Sequence, residues 1–247
     1  NWVATSMFTR SLVNIGGGAS ATIIETHQGP DGSDYQVNTA MQLVIGDEAR
    51  IDHVKVTREG DGALHVASLL ANVGARASFN QLGFVLGGAI VRNQLFLRLA
   101  GEGTVADIKG VSLLKGKQHA DTTLAIDHAA AECQSRETFK AVVDDSARAV
   151  FQGKIIVSPG AQKTDAKMMS RALLLSDEAE ADSKPELEIF ADDVQCGHGT
   201  TTGAIETHLL PYAALCGLPP LPSAATYGLL SGVNLLGMIL VGWMTDR

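Results

Sequence analysis

The sequence predicts an all-β fold in which short strands are joined by tight turns. Three observations support this prediction. Polar and apolar side chains alternate, as in residues 53–57, and turn residues such as Gly60-Asp61-Gly62 recur about every dozen positions. The composition combines 26 glycines with only 5% aromatic residues. Period-two alternation is typical of a half-buried strand, and Gly, Asp and Asn mark the breaks between strands.

The alternating stretches follow one another along the first 205 residues. Leu43 and Ile45 stand apart from the polar residues that follow them, and residues 53–57 and 65–69 each alternate between two classes of side chain. Each of these stretches is therefore predicted to be a strand. The pattern weakens at Glu132–Ala141, where a helical periodicity appears and a short helix is expected.

A faint internal repeat indicates how the strands are arranged. Ala49-Arg50-Ile51 is echoed by Ala75-Arg76-Ala77, 26 residues later, and again by Ala147-Arg148-Ala149. A repeat of roughly this length, rich in short strands, is what a β-solenoid needs, because one coil cannot bury its apolar side alone. The same strand spacing also allows a β-sandwich, and the pattern alone leaves both open.

Charge and cysteine usage exclude several classes of protein. The formal net charge of −8 argues against a nucleic-acid-binding protein, because phosphate contacts supply most of the affinity of such proteins. Cys133, Cys196 and Cys216 are odd in number and widely spaced, which argues against a disulfide framework and indicates a cytoplasmic protein. The N-terminus shows no signal peptide, and the missing initiator Met indicates that upstream sequence is absent.

Residues 206–247 differ from the rest of the chain and are treated as a second domain. Between Leu209 and Met244 there is no Asp, Glu, Lys or Arg, a run long enough to span a bilayer. The tail resembles a segment of a major facilitator superfamily transporter, because Gly242–Arg247 is similar to the start of its G-x-x-x-D-R loop motif. We expect an apolar, helical, transmembrane-like tail that is a chimeric or frame-disrupted end, with an apolar helix of a soluble domain as the alternative.

The candidate site is Cys196-Gly197-His198. On a strand, residues two positions apart point to the same face, so the thiol and the imidazole would stand side by side. Both groups are ligands for soft or borderline metals, including iron. Two ligands do not close a metal site, however, and a buried Cys beside a hydrogen-bonded His is the alternative interpretation.

Other groups have simpler explanations. The acidic stretch Asp177–Asp193 places its carboxylates mainly on one side of an alternating strand, which predicts a solvated face, and Pro185 is expected to mark the entry to that strand. Gly16-Gly17-Gly18 lacks the Gly-Lys-Ser/Thr that a phosphate-binding loop requires, so a turn is expected. His119 with Asp121, and Asp127-His128 with Cys133, could form catalytic pairs, but no nucleophile elbow accompanies them, and roles in ordering turns are expected.

The stretch from Ser170 to Gly203 carries a family resemblance. It reads SRALLLSDEAEADSKPELEIFADDVQCGHGTTTG. Further matching motifs precede it: Ser135-Arg136, Phe139-Lys140, Asp144-Asp145, Ala147-Arg148, Phe151-Gln152-Gly153 and Pro159–Asp165. Together these segments resemble the core of the SufB/SufD family of iron–sulfur cluster assembly scaffolds, and the Cys-Gly-His-Gly variant resembles its SufD branch.

The resemblance implies a fold, a function and partners. It implies a right-handed parallel β-helix over residues 1–205 and a non-catalytic scaffold subunit of a SufBCD-type complex. The subunit would pair with a SufB-like subunit, and Cys196 and His198 would face that interface, where a transient iron–sulfur cluster shares ligands from both subunits. No cofactor would be bound stably by this chain alone. A SufC-like ATPase would bind the C-terminal helices of the family, so the altered tail is expected to impair that binding.

Two other classes of function remain open. One is a β-solenoid enzyme, such as a polysaccharide lyase or an acyltransferase, which would need acidic and basic residues in register along a cleft. The other is a membrane transport fragment, if the tail is the authentic part of the chain; only then would a membrane be a partner.

Overall fold

The computed structural model describes residues 4–203, which form fourteen β-strands in two parallel seven-stranded sheets. The first sheet contains β1 (Thr5–Ile15), β3 (Tyr35–Ile45), β5 (Ala63–Val73), β7 (Ile90–Leu99), β9 (His119–His128), β11 (Arg148–Val157) and β13 (Glu180–Ile189). The second sheet contains β2 (Ser20–Gln28), β4 (Arg50–Arg58), β6 (Ser78–Val85), β8 (Val105–Leu114), β10 (Gln134–Val143), β12 (Thr164–Leu174) and β14 (Val194–Gly203).

The chain alternates between the two sheets, so that each pair of consecutive strands makes one coil of a β-solenoid. Within each sheet every second strand is a neighbour, and the register pairs that join them are parallel, such as Thr5 with Tyr35 and Arg148 with His119. Parallel strands need a crossover between them, and here the strand of the opposite sheet provides it. The prediction of an all-β solenoid is confirmed over residues 4–203, and the β-sandwich alternative is wrong.

The length of a coil varies along the chain, so the regular repeat that we inferred from the Ala-Arg echo is wrong. The offset between paired residues ranges from 26 residues, for Leu64 and Ile90, to 32 residues, for Arg148 and Glu180. The Ala-Arg echo does not follow these coils. Arg50 pairs with Ser78, not with Arg76, while Arg148 lies in the other sheet.

One corner of the solenoid is built the same way in successive coils. Six stacked residues there have a left-handed backbone, with φ between 52° and 70°: Gly18, Glu48, Arg76, Gly103, Glu132 and Lys163. Each donates its backbone N–H to a carbonyl of the next coil, for example Glu48 to Ala75 at 2.8 Å. We call this series of hydrogen bonds between coils the corner ladder. It stabilises the corner even where the left-handed residue is not glycine and its backbone is therefore strained.

The interior is apolar along most of its length. Leu43, Phe79, Leu124 and Ile155 are completely inaccessible to solvent. Phe139 from β10 stacks on Phe151 from β11, with ring centroids 4.3 Å apart, so the two sheets meet through aromatic packing. Burial of these side chains is the main source of stability for stacked coils.

The first coils differ, because the buried face of β4 is polar. His53, Lys55 and Thr57 point inwards and are nearly inaccessible, whereas Val54 and Val56 are half-exposed. The alternation therefore marks the strand correctly, but it does not identify the buried face. A polar group inside a solenoid must find partners there.

Two local expectations need correction. The helix expected at residues 132–141 is wrong, because β10 occupies most of that segment and pairs with β8 and β12. Pro185, which the sequence suggested as the entry to a strand, lies inside β13. Among the described strands β13 is the last of its sheet, and an edge position tolerates a residue without an N–H donor.

The C-terminal tail, 206–247, lies outside the described residues, and with it the transporter-like segment. Within residues 4–203 no helix is long and apolar enough to cross a membrane.

Candidate functional site

The predicted site lies on β14, the last described strand of the second sheet. Cys196 is half-buried and packs against the apolar core, whereas His198 is exposed. Gly197 and Gly199 have the opposite parity, and among the described residues nothing lies within 4 Å of the position that a Cβ would occupy at either of them. The strand therefore presents a half-buried thiol and an exposed imidazole two positions apart, while its opposite face is open. We call Cys196 and His198 the β14 pair.

The charges around the thiol are negative. Burial raises the pKa of Cys196, and the carboxylates of Asp165 and Glu137 raise it further. The thiol is consequently protonated at neutral pH, so it is a poor nucleophile. A cation bound at Cys196 would reverse this balance, because it would favour the thiolate and be attracted by both carboxylates.

Glu137 is the most strongly perturbed of these neighbours. It is completely inaccessible, and among the described residues neither of its carboxylate oxygens makes a well-aligned hydrogen bond. Burial raises its pKa to about 7, even though the neighbouring Ser135 side chain and the charge of Arg136 oppose the shift. A buried carboxyl of this kind is costly when ionised, and the sequence pattern did not single it out.

The acidic stretch forms a solvated strand face, as predicted. Glu188 of β13 pairs with Lys154 at 2.6 Å, and both side chains are substantially exposed. Leu187, with the opposite parity, packs against the core. An exposed pair of this kind contributes about 1 kcal/mol at most, so these carboxylates act mainly as a soluble outer surface.

The remaining candidates have structural roles. Gly16–Gly18 forms the turn between β1 and β2, where Gly18 has a φ of 70°. His128 Nε2 lies 2.9 Å from Ser135 Oγ, and the Cys133 thiol donates to the carbonyl of Gly101 at 3.3 Å. The acidic members of the two predicted dyads form ion pairs: Asp121 with Arg92 and Asp127 with Arg98.

The sequence reasoning missed a polar cluster inside the first coils. We call it the interior cluster, and its six members are Glu25, His27, His53, Lys55, Glu59 and His65. Glu25 Oε2 lies 2.7 Å from His53 Nε2, and Lys55 Nζ lies 3.0 Å from His65 Nε2. A cavity of ≈ 50 Å³ adjoins the cluster. The sequence did contain one signal for this cluster. His53, Lys55 and Thr57 follow Ile51 at intervals of two residues, so they lie on the same face of the strand as that buried isoleucine.

The interior cluster places two carboxylates, those of Glu25 and Glu59, around one ammonium group, that of Lys55. Burial lowers the pKa of Lys55 to about 8, against the opposing charges of Glu25 and Glu59. Burial also lowers the pKa of His65, as does the charge of Lys55. Burial alone would raise the pKa of Glu25, but His27 and His53, whose Nε2 atoms lie 3.7 Å and 2.7 Å from its carboxylate oxygens, hold it well below its ordinary value.

The fold and the β14 pair together define a class: a parallel β-solenoid protein with a cysteine and a histidine two positions apart on the last described strand of one sheet. Its family follows from comparison with known proteins. The model of the domain "SUF system FeS cluster assembly, SufBD core domain" matches residues 2–221, which is most of the chain. The chain therefore belongs to the SufB/SufD family of iron–sulfur cluster assembly proteins.

Individual relatives agree with this assignment. The iron–sulfur cluster assembly protein SufD of Escherichia coli K12 is 32% identical over 203 residues, covering 82% of this chain and 48% of the relative. A SufBD family protein of Synechocystis is 30% identical over 219 residues, covering 85% and 48%. SufD of Bacillus subtilis is 28% identical over 218 residues, covering 87% and 50%. The chain thus spans about half the length of these curated relatives.

Proposed function

We propose that the chain is a non-catalytic scaffold subunit of a SufBCD-type complex, in which iron and sulfide are assembled into a cluster between this subunit and a SufB-like subunit. The proposal rests on one observation: a thiol and an exposed imidazole lie two positions apart on β14, which among the described strands is bonded on one side only. Family membership and the SufD relatives support it.

The geometry explains why a second subunit is needed. An iron–sulfur cluster is held by four protein ligands, chiefly thiolates and in some proteins imidazoles, and the β14 pair offers two. A partner docked against the open edge of β14 would supply the others and exclude water from the site. A strand edge with free N–H and C=O groups is also a natural place for another chain to pair.

The local charges suit iron as the incoming cargo. The carboxylates of Asp165 and Glu137 act on the Cys196 thiol, and they would stabilise Fe²⁺ as the thiol gives up its proton. We further propose that a SufC-like ATPase drives the rearrangement that exposes and closes the interface. The energy for that step would come from the ATPase subunit rather than from this chain.

Anaerobic reconstitution tests the proposal. The chain is mixed with SufB- and SufC-type partners, ATP, Fe²⁺ and sulfide, and cluster formation is followed by visible absorption. His198→Ala should lower the yield, whereas His119→Ala, which removes a half-exposed histidine from β9, should not. Equal yields from His198→Ala and the parent would remove His198 from the mechanism.

A further inference from the structure

We propose that His27, Glu59 and His65 form a binding site for one divalent first-row transition metal ion, Zn²⁺ or Fe²⁺, inside the first coils of the solenoid. The site is separate from the β14 pair and does not depend on the proposed scaffold function. It lies within the interior cluster, and its three side chains come from the end of β2, the corner after β4 and the start of β5.

The first argument is convergence. One ligand atom from each of the three side chains lies within 4.8 Å of the others. The imidazoles of His27 and His65 approach edge to face, with ring centroids 4.7 Å apart. Side chains from three separate segments are thus directed at one small volume, which is how a polypeptide builds a metal site.

The second argument is that the converging atoms are poorly satisfied. Among the described residues, His27 Nε2, Glu59 Oε2 and His65 Nδ1 are buried and make no well-aligned hydrogen bond. Their polar contacts are ion pairs, from His27 to Glu25 at 3.7 Å and from His65 to Glu59 at 3.1 Å. The side chains of Glu59 and His65 are 2% and 0% exposed. A buried polar atom without a hydrogen bond is costly, and a single cation bound between the three atoms would satisfy all of them.

The contact between Glu59 and His65 supports this interpretation. Oε2 and Nδ1 are 3.1 Å apart, yet they do not have the direction of a hydrogen bond. Two ligands of a tetrahedral zinc ion, each bound at about 2.0–2.1 Å, are separated by about 3.3 Å. The two atoms therefore lie side by side, at the spacing of neighbouring ligands. His27 is the least buried of the three, and a rotation of its side chain can complete the set.

The third argument is the support behind the ligands. Lys55 Nζ contacts Nε2 of His65 at 3.0 Å and donates to Asn93 Oδ1 at 2.8 Å. It therefore holds the imidazole with Nδ1 turned towards Glu59. Because the ammonium donates to Nε2, the free imidazole carries its proton on Nδ1, and a metal ion that binds there must displace that proton. Glu25 and Glu59 provide two carboxylates against this one ammonium group, so a further cation is electrostatically favoured.

The donor set identifies the class of ion. Two imidazoles and one carboxylate are typical of zinc sites and of the facial triad that binds Fe²⁺. Mg²⁺ prefers oxygen ligands in an octahedral arrangement and should not bind. Titration with Zn²⁺, with anaerobic Fe²⁺ and with Mg²⁺ therefore distinguishes a transition metal site from a general cation-binding pocket.

The experiment uses the full chain carrying Cys196→Ser and His198→Ala, so that the β14 pair cannot contribute. Isothermal titration calorimetry should detect one equivalent of Zn²⁺ or Fe²⁺. Glu59→Gln, which preserves size and hydrogen-bonding capacity, and His27→Gln should each weaken binding by at least about tenfold, the scale on which even outer partners of metal ligands act. The matched control His119→Gln should bind as the parent does.

Two results would overturn the proposal. One is the absence of Zn²⁺ and Fe²⁺ binding in the parent, and the other is unchanged affinity in both Glu59→Gln and His27→Gln. A measurement that needs no variant guards against misfolding: in NMR spectra of the parent, the imidazole resonances of His27 and His65 should shift as Zn²⁺ is added. Resonances that stay in place would likewise exclude the site.

Discussion

Replacing Glu137 with glutamine should make the protein more stable, and the gain should grow as the pH rises. The carboxyl is completely inaccessible, and within residues 4–203 its oxygens make no well-aligned hydrogen bond. Burial raises its pKa from 4.5 to about 7. Glutamine has nearly the same shape but never ionises, so it removes the cost of a buried charge.

The sign and size of the effect follow from linkage. Below pH 4.5 the Glu137 carboxyl keeps its proton in both the folded and the unfolded chain, so the group has no effect on the pH dependence. Above that, the unfolded chain loses the proton first, and the free energy of unfolding falls until the pH passes about 7. A shift of about 2.5 units, at 1.36 kcal/mol per unit, corresponds to about 3 kcal/mol in total.

The assay is urea unfolding of the parent and Glu137→Gln at about pH 5 and about pH 8, compared at each pH. The stability difference should widen by about 2–3 kcal/mol towards the higher pH. His128, whose pKa burial lowers to about 4, favours the folded state as pH rises, but it is common to both proteins and cancels. The exposed Glu102→Gln serves as control. A difference that does not change with pH would refute the argument.

Two further predictions concern a corner and the thiols. Gly103→Ala should cost about 1 kcal/mol of stability, because alanine is strained at a φ of 68°, whereas Gly199→Ala, with open space around it, should be neutral; equal urea midpoints would contradict this. In native protein at neutral pH, Cys196 should react with iodoacetamide more slowly than a free thiol, because burial raises its pKa. Cys133, which is completely inaccessible, should react only after unfolding, and mass spectrometry showing its rapid modification in the native state would count against the structure.

The strands could be predicted from the sequence because their outer faces meet water. One side of each strand is polar for solubility and the other packs inwards, which leaves a period of two in the chain. The coil length could not be read in the same way. Corners differ in length, so the offset varies between 26 and 32 residues, and the Ala-Arg echo joined Ala75 to Ala147, which precede strands of different sheets.

The candidate site was predictable only in part. Cys196 and His198 were found because a Cys-x-His pair is distinctive and because the surrounding motifs resemble a family. Their role stays a prediction. Glu137 and the interior cluster were not found, since their burial depends on neighbours in other coils. His53 and Lys55 look like the polar face of a half-buried strand, and only the stacked sheets show that they point inwards.

The corner ladder has a consequence for how a disturbance spreads. Its rungs join adjacent coils, as from Lys163 to Asp193, so loosening one coil is felt mainly by the next. Within residues 4–203, β14 is bonded to β12 alone, so loosening it would disturb mainly the coil next to it. A partner that binds β14 can thus rearrange the last described coil while the coil of Glu59 and His65, several coils away, keeps its hydrogen bonds.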